Sequence, residues 1–399
     1  MLDFKPLLPD TRPPMLLAAV SSTPDIVFLF AGAGLVLYVA SRAAVDALTS
    51  ASEPSPGKLA VGHWIPIACA ALLATAAGRA EIGIGLAFAT SVASIGMVLG
   101  VLTCISHDVA GSAERANAWP FVVPAAVLTL LAGFSGSLTW WHALMLLGLG
   151  ACVMSVWCGR QRDDNPQVAK RAATAAAAPA GGFEILPTPS QQPPADASPA
   201  TTPPQSEGPP RIARVWRVIQ FVLALALSIA GGWLAYRATT VADDRTRVAT
   251  GGLIAAAVVS PLLVLPMLGT GAIAAHHGRL SSALAGIVGV VLLNLCALLP
   301  LVILVAYARQ VVLDWDKFQP AVAATTAATT EPAETLDQLR PIPFPLAVWR
   351  VDTALLIVFG LLLIPISLGR LTLRKAEGLA LAALYAIYLI ISTALAIRL

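Results

Sequence analysis

The chain has 399 residues, of which 57% are hydrophobic and only 12% charged, and its mean hydropathy is +0.78. A soluble domain of this length does not carry so apolar a surface, so lipid is the solvent for most of the chain. A formal net charge of +3, with its Lys and Arg dispersed, gives no basic patch and excludes nucleic acid as a partner.

The N-terminal stretch holds Asp3 and Asp10 among Pro6, Pro9, Pro13, Pro14 and Pro24, unlike the basic n-region of a signal peptide, and no cleaved signal peptide is expected. Apolar runs of about twenty residues then follow, each long enough to cross a hydrocarbon core as a helix. The runs near 25–44, 59–77, 81–106, 118–136 and 140–158 form a first membrane half, residues 1–158. Residues 159–212 start with Arg160, Arg162, Asp163 and Asp164 and continue as an Ala/Pro/Thr/Ser/Gln-rich stretch that cannot bury a core. They are expected to form a disordered linker, whose protein partner the sequence does not identify. A second half, 213–399, has runs near 215–236, 249–275, 280–308, 346–368 and 376–397, with a soluble insertion at 309–345 that reads equally as an amphipathic cap or a mobile loop.

The expected fold is therefore an all-α integral membrane protein of about ten transmembrane helices. An odd number per half makes the second half enter the membrane inverted, which is a transporter architecture. Arg160, Arg162, Lys170, Arg171, Arg211, Arg214 and Arg217 flank the linker and place it in the cytoplasm with both termini outside, in the cell (inner) membrane. The turn carrying Arg370, Arg374 and Lys375 also falls inside, whereas Arg237, Arg245 and Arg247 fall outside, against the rule.

Shifting the chain by about 200 residues lays the second helix pair of each half on its counterpart without a gap. Pro66 falls on Pro266, Ala74 on Ala274, Gly78 on Gly278, Arg79 on Arg279 and Leu99 on Leu299. A proline within an apolar helix removes a backbone donor and kinks the segment, freeing carbonyls toward a cavity. Two matched kinks mark either a central site or bends in packed helices.

Around these prolines, residues 62–100 and 262–300 resemble the two α-repeats of the sodium/calcium exchanger (cation/Ca²⁺ antiporter) superfamily, whose repeat runs G-T-S-x-P-E and, after a polar turn, G-N-x-x-G-S-N-x-x-N/D. Gly62, Pro66, Gly78, Glu81 and Gly85 are kept in the first repeat, and Pro266, Gly278, Gly289 and Asn294 in the second. Gly369 and Arg370, then Glu377, Gly378 and Leu379 with Tyr385 and Tyr388, resemble the family's closing hairpin; Ser137, Leu138 and Thr139 mark the equivalent turn in the first half. The resemblance implies an exchanger-like fold of two inverted five-helix repeats and a cation antiporter working by alternating access.

The motifs are eroded at the chemistry. Where the family's cation-binding Glu follows each Pro, this chain has Ile67 and Met267. His63 and Trp64 replace the hydroxyl pair before the first Pro, and Leu263 and Val264 the second pair; Val290 and Asn294 face Thr90 and Ser94. Ca²⁺ takes six to eight hard oxygen ligands, with carboxylates to offset its charge. The remaining set of His63, Thr90, Ser94 and Asn294 carries no formal negative charge, so Ca²⁺ exchange through the family's usual site is expected to be lost.

These four residues are the ion-site candidates, with Pro66 and Pro266 as its kinks. His63 is either a proton carrier or a histidine at the helix entrance touching headgroups or water. Asn294 is a ligand or an interhelical hydrogen-bonding group. Thr90 and Ser94 share one helix face, where hydroxyls also bond back to their own helix. His276 and His277 fall in a turn, Glu81 and Asp352 at helix ends where capping or the helix dipole accounts for them, and Trp140 and Trp141 at an interfacial anchor. Cys69, Cys104, Cys152, Cys158 and Cys296 show no CxxC pairing and read as packing thiols. No Ser/His/Asp, HExxH or phosphate-cradling motif is present, so no enzyme, metal centre or cofactor is expected. The expected partners are membrane lipid and a small cation or a proton. A transporter of altered substrate and a non-transporting scaffold or sensor with the same fold are the two functional readings.

Overall fold

The computed structural model describes residues 23–49, 55–105, 119–134, 136–163, 211–246, 251–276, 280–313, 341–343, 346–367 and 374–398. The expected linker between 164 and 210, most of the insertion, the turn at 368–373, and His277, Gly278 and Arg279 lie outside the described residues.

Each expected apolar run is a helix. In the first half these are α1 (Thr23–Thr49), α2 (Pro56–Ala76), α3 (Ala80–Ile105), α4 (119–132) and α5 (Trp140–Asp163). In the second they are α6 (Arg211–Thr246), α7 (251–276), α8 (280–313), α9 (Leu346–Ser367) and α10 (Lys375–Arg398). Among the described residues, seven helices are long and apolar enough to cross a membrane, and the apolar parts of α4, α5 and α9 are shorter. The protein is an integral membrane protein of two inverted five-helix repeats.

Several boundaries differ from expectation, the largest at α6, which spans Arg211–Thr246 where a run near 215–236 was expected. Helix α5 continues through Arg160 and Arg162 to Asp163, and α8 continues to Leu313, because nothing in either sequence stops the helix at the end of the apolar run. Helix α4 stops early, at Ala132, where Gly133 caps it and Gly136 turns the chain with φ 75°. That turn delivers β1 (Ser137–Leu138), which pairs antiparallel with β2 (Ile342–Pro343), Leu138 opposite Ile342. The Tyr307 hydroxyl of α8 donates to the Leu138 carbonyl at 2.8 Å and fixes this small ribbon to the bundle.

Local sequence sets the helix starts. Pro56 occupies the first turn of α2, where its missing N–H costs nothing, and the Ser55 hydroxyl accepts from the Lys58 N–H at 3.4 Å. Glu81 lies in the first turn of α3, on the positive end of the helix dipole.

The layers follow from burial. Helices α3 and α8 are largely enclosed and form the centre, with α2 and α7 beside them. Helices α1 and α6 pack along each other on the outside and present Val27, Phe28, Leu35, Val218, Val222 and Leu223 outward, the surface expected against lipid tails. Helix α10 crosses α3 at Gly378 and Gly100, where a Cβ on Gly100 would lie 2.8 Å from the Gly378 carbonyl oxygen. Small residues are what let helix backbones approach this closely in a membrane.

Candidate functional site

Pro66 and Pro266 both lie inside their helices and both are buried, one on each side of the α3/α8 centre. Helix α3 widens into a π-helical turn at Ser94–Leu99, and α8 into one at Asn294–Leu298. The two turns begin at the residues that the repeat places on each other. A π turn leaves the regular i→i−4 ladder and is frequent at functional sites.

At this centre Asn294 is fully buried, and its Nδ2 donates to Thr90 Oγ1 at 3.0 Å and to Ser91 Oγ at 3.3 Å. The hydroxyl protons of Thr90 and Ser91 are committed to their own helix, reaching Leu86 O at 2.5 Å and Ala87 O at 2.8 Å. Both hydroxyls can therefore only accept, which fixes the amide with its nitrogen toward α3. The other end, Asn294 Oδ1, is buried and has no hydrogen-bond partner. Ser94 Oγ donates to Thr90 O at 2.6 Å and lies 3.9 Å from Met267 Sδ. Ile67 and Met267 are both buried and apolar.

His63 lies in the second turn of α2, on the wall of a cavity. It is 4% exposed, with Nδ1 2.8 Å from Ser41 Oγ and Nε2 2.9 Å from Thr270 Oγ1. It thus joins α1, α2 and α7. One turn of helix from Pro266, Thr270 Oγ1 also donates back to its own helix, at 3.1 Å from the carbonyls of both Pro266 and Met267.

A cavity of about 480 Å³ lies between α1, α2, α7 and α8, with His63, Thr270 and Met267 on its wall and Arg42 and Asp46, 3.7 Å apart, also lining it. It lies where α1 and α7 finish and α2 and α8 begin, the same end at which α5 finishes and α6 begins. Met267 stands between this cavity and Ser94. At the opposite end Arg79 pairs with both Glu81 and Asp243, binding the α2–α3 turn to the end of α6. Partial burial works against the guanidinium charge, but hydrogen bonds and the charges of Glu81 and Asp243 outweigh it and raise the Arg79 pKa above its ordinary value. Gly78 in this turn has φ +96°, and a Cβ there would meet the Arg309 guanidinium at 2.6 Å.

The structure thus brings Thr90, Ser94 and Asn294 together and sets His63 apart from them at the cavity. Sequence reading missed Ser91, Ser41 and Thr270. The adjacent hydroxyls Thr90 and Ser91 were a visible signal for the first; the other two become relevant only when α1 and α7 meet α2. Asp352, expected as a helix-end group, is instead 2% exposed inside the bundle. Glu81 lies in the first turn of its helix, where it accepts from the Arg79 guanidinium rather than capping a backbone N–H. His276 is exposed at the end of α7. Trp140 and Trp141 stack at 3.9 Å at the start of α5. The described cysteines are free, and no group of His, Cys, Asp or Glu suited to a metal occurs among the described residues.

Apolar helices in two halves, with kinked helices flanking a buried polar centre, make up the architecture of an integral membrane protein. The family description "Sodium/calcium exchanger protein" matches residues 216–394 of this chain, its second half. Among solved structures, the H⁺/Ca²⁺ exchanger CAX is similar with a TM-score of 0.60 at 12% identity, over 96% of this chain and 88% of that one. Native YfkE gives a TM-score of 0.55 at 12% identity, over 94% and 93%. The sodium-calcium exchanger NCX_Mj, soaked with 2.5 mM Na⁺ and 1 mM Sr²⁺, gives 0.51 at 18% identity, over 91% and 96%. At these identities the likeness is one of fold. No curated protein matches the chain by sequence.

Proposed function

We propose that this chain is an exchanger-like transporter of altered substrate, with a small cation or a proton as its cargo and the π turns of α3 and α8 as its centre. The observation that carries the reading is the unpartnered Asn294 Oδ1, a buried acceptor held in a fixed direction by Thr90 and Ser91. A buried acceptor without a donor is costly unless something else fills the role. With Ile67 and Met267 in place of the family's carboxylates, the centre has neutral oxygen ligands only, which suits a singly charged or proton-linked cargo better than Ca²⁺. The arrangement of cavity and ion-pair closure supports access from one end at a time: the His63 cavity leads in, while Arg79, Glu81 and Asp243 hold the other end. With the linker cytoplasmic, as its flanking Lys and Arg residues indicate, that cavity faces the cytoplasm and the termini lie outside.

The second reading is a scaffold or sensor that keeps the fold and transports nothing. It is favoured by the apolar, fully packed Ile67 and Met267. Reconstitution in liposomes separates the two. Na⁺-driven Ca²⁺ uptake and proton flux are measured for the full chain and for His63→Ala. Proton or monovalent-cation flux that falls in His63→Ala is expected. Robust Ca²⁺ uptake would overturn the altered substrate, and no flux of any tested ion would leave the scaffold as the better account.

A further inference from the structure

Helices α9 and α10 enclose a polar group that the Asn294 centre does not use. Asp352 lies in the second turn of α9, and among the described residues it is the one acidic side chain that is buried. Tyr385, Tyr388 and Ser392 follow at spacings of three and four on α10, which places them on one helix face. All three are buried, at 6%, 2% and 2% exposure. The two phenol rings lie 6.0 Å apart; Tyr388 faces Asp352 and Ser392, and Tyr385 faces Ser260 of α7. Four polar atoms in this group are buried without a hydrogen-bond partner: Asp352 Oδ1, both phenol oxygens and Ser392 Oγ.

Buried polar atoms are almost always satisfied, and here the groups that face one another are members of the same line: Tyr388 with Asp352 and Ser392, and Tyr385 with Ser260. The charge that this line must accommodate follows from the surroundings. The parts of α3 and α4 that pack on α9 carry no acidic or basic side chain from Ile82 to Ile105 or from Trp119 to Ala132. Their one titratable group is the Cys104 thiol, near the far end of α3 beside Lys375. Among the described side chains, the titratable groups that α3, α4 and α10 turn toward Asp352 are therefore the two tyrosines, and none of these groups is a cation. One positive charge is needed, and an uncompensated charge would be expensive in so apolar a setting. Tyrosine and serine hydroxyls both donate and accept, so a line of them can pass a proton while remaining neutral.

We propose that Asp352 is a proton-binding site, and that Tyr388, Ser392 and Tyr385 relay its proton. Only O–H bonds form and break: the carboxylate gains one proton to become a neutral acid and returns to a single negative charge when the proton leaves. Asp352 sits at the end of the bundle where α9 begins, opposite the end that holds the His63 cavity. Protons thus load from one side while the cavity serves the other. That coupling role rests on the transport reading; the binding of the proton does not.

Infrared difference spectroscopy across a pH step, on the full chain in liposomes, reads the site directly. A protonated-carboxyl C=O band, sensitive to D₂O, is expected. It should be lost entirely in Asp352→Asn and displaced in Tyr388→Phe, a variant that removes one hydroxyl and keeps the ring should the first fail to fold. Proton flux in the same vesicles should fall at least tenfold in Asp352→Asn. A band unchanged in Asp352→Asn, or undisplaced in Tyr388→Phe, would overturn the proposal. Removal of the band by Na⁺ at constant pH would also overturn it, in favour of a sodium site. A band that behaves as expected in vesicles with no proton flux would uphold the site and overturn transport instead.

Discussion

Replacing Asn294 by Ala separates a ligand from a structural amide. The substitution removes two interhelical hydrogen bonds, to Thr90 at 3.0 Å and Ser91 at 3.3 Å. Such bonds in membrane proteins contribute about 0.6 kcal/mol each on average. Thr90 and Ser91 keep their own donations to Leu86 and Ala87, so no buried donor is stranded. The loss should therefore be about 1–2 kcal/mol of stability. Removing Oδ1 costs little in folding, since it has no partner within the protein. Flux should behave differently: if Oδ1 binds the cargo, losing a ligand interaction of about 2 kcal/mol lowers flux roughly thirtyfold. Thermal unfolding in nanodiscs measures the first quantity, and liposome flux per folded protein the second. Asn294→Ala that unfolds slightly earlier but transports within twofold of the parent would refute the ligand role and leave a purely structural amide.

Met267 closes the inner wall of the cavity against Ser94, so Met267→Ala should open a path. Ser94→Cys should then react with a water-soluble thiol reagent in the Met267→Ala background and remain unreactive without it. Asp243→Asn removes one of the two carboxylates on Arg79 and should loosen the end opposite the cavity, seen as faster thiol labelling of Thr75→Cys; equal labelling rates would show that the ion pair is not a closure. Gly100→Leu drives a side chain into the Gly378 carbonyl and should cost about 1–3 kcal/mol or more, read as a lower unfolding temperature. Gly78→Ala places a Cβ at φ +96° against Arg309 and should cost about 1–3 kcal/mol, read in the same way.

The sequence by itself determined the membrane character, the ten helices and the inversion of the halves. Each depends on local apolar length and on parity, and neither needs knowledge of what touches what. It also pointed to a candidate centre, because Pro66 and Pro266 and then Ser94 and Asn294 are related by the same shift along the chain. The π turns that begin at those residues were not legible, since a one-residue widening leaves no periodic signature in an all-apolar helix. Only the tertiary structure decided what each polar group does. His63 reads in sequence as a proton carrier or a helix-entrance histidine, and only the tertiary structure brings Ser41 and Thr270, from helices distant in the chain, against its two ring nitrogens. Asp352, near a helix start, reads as a cap until α10 lays Tyr388 against it and α3 and α4 cover it without a counter-charge. In a lipid-solvated chain, polar groups are few and helix ends are ambiguous, so their roles are set by which apolar surfaces happen to enclose them.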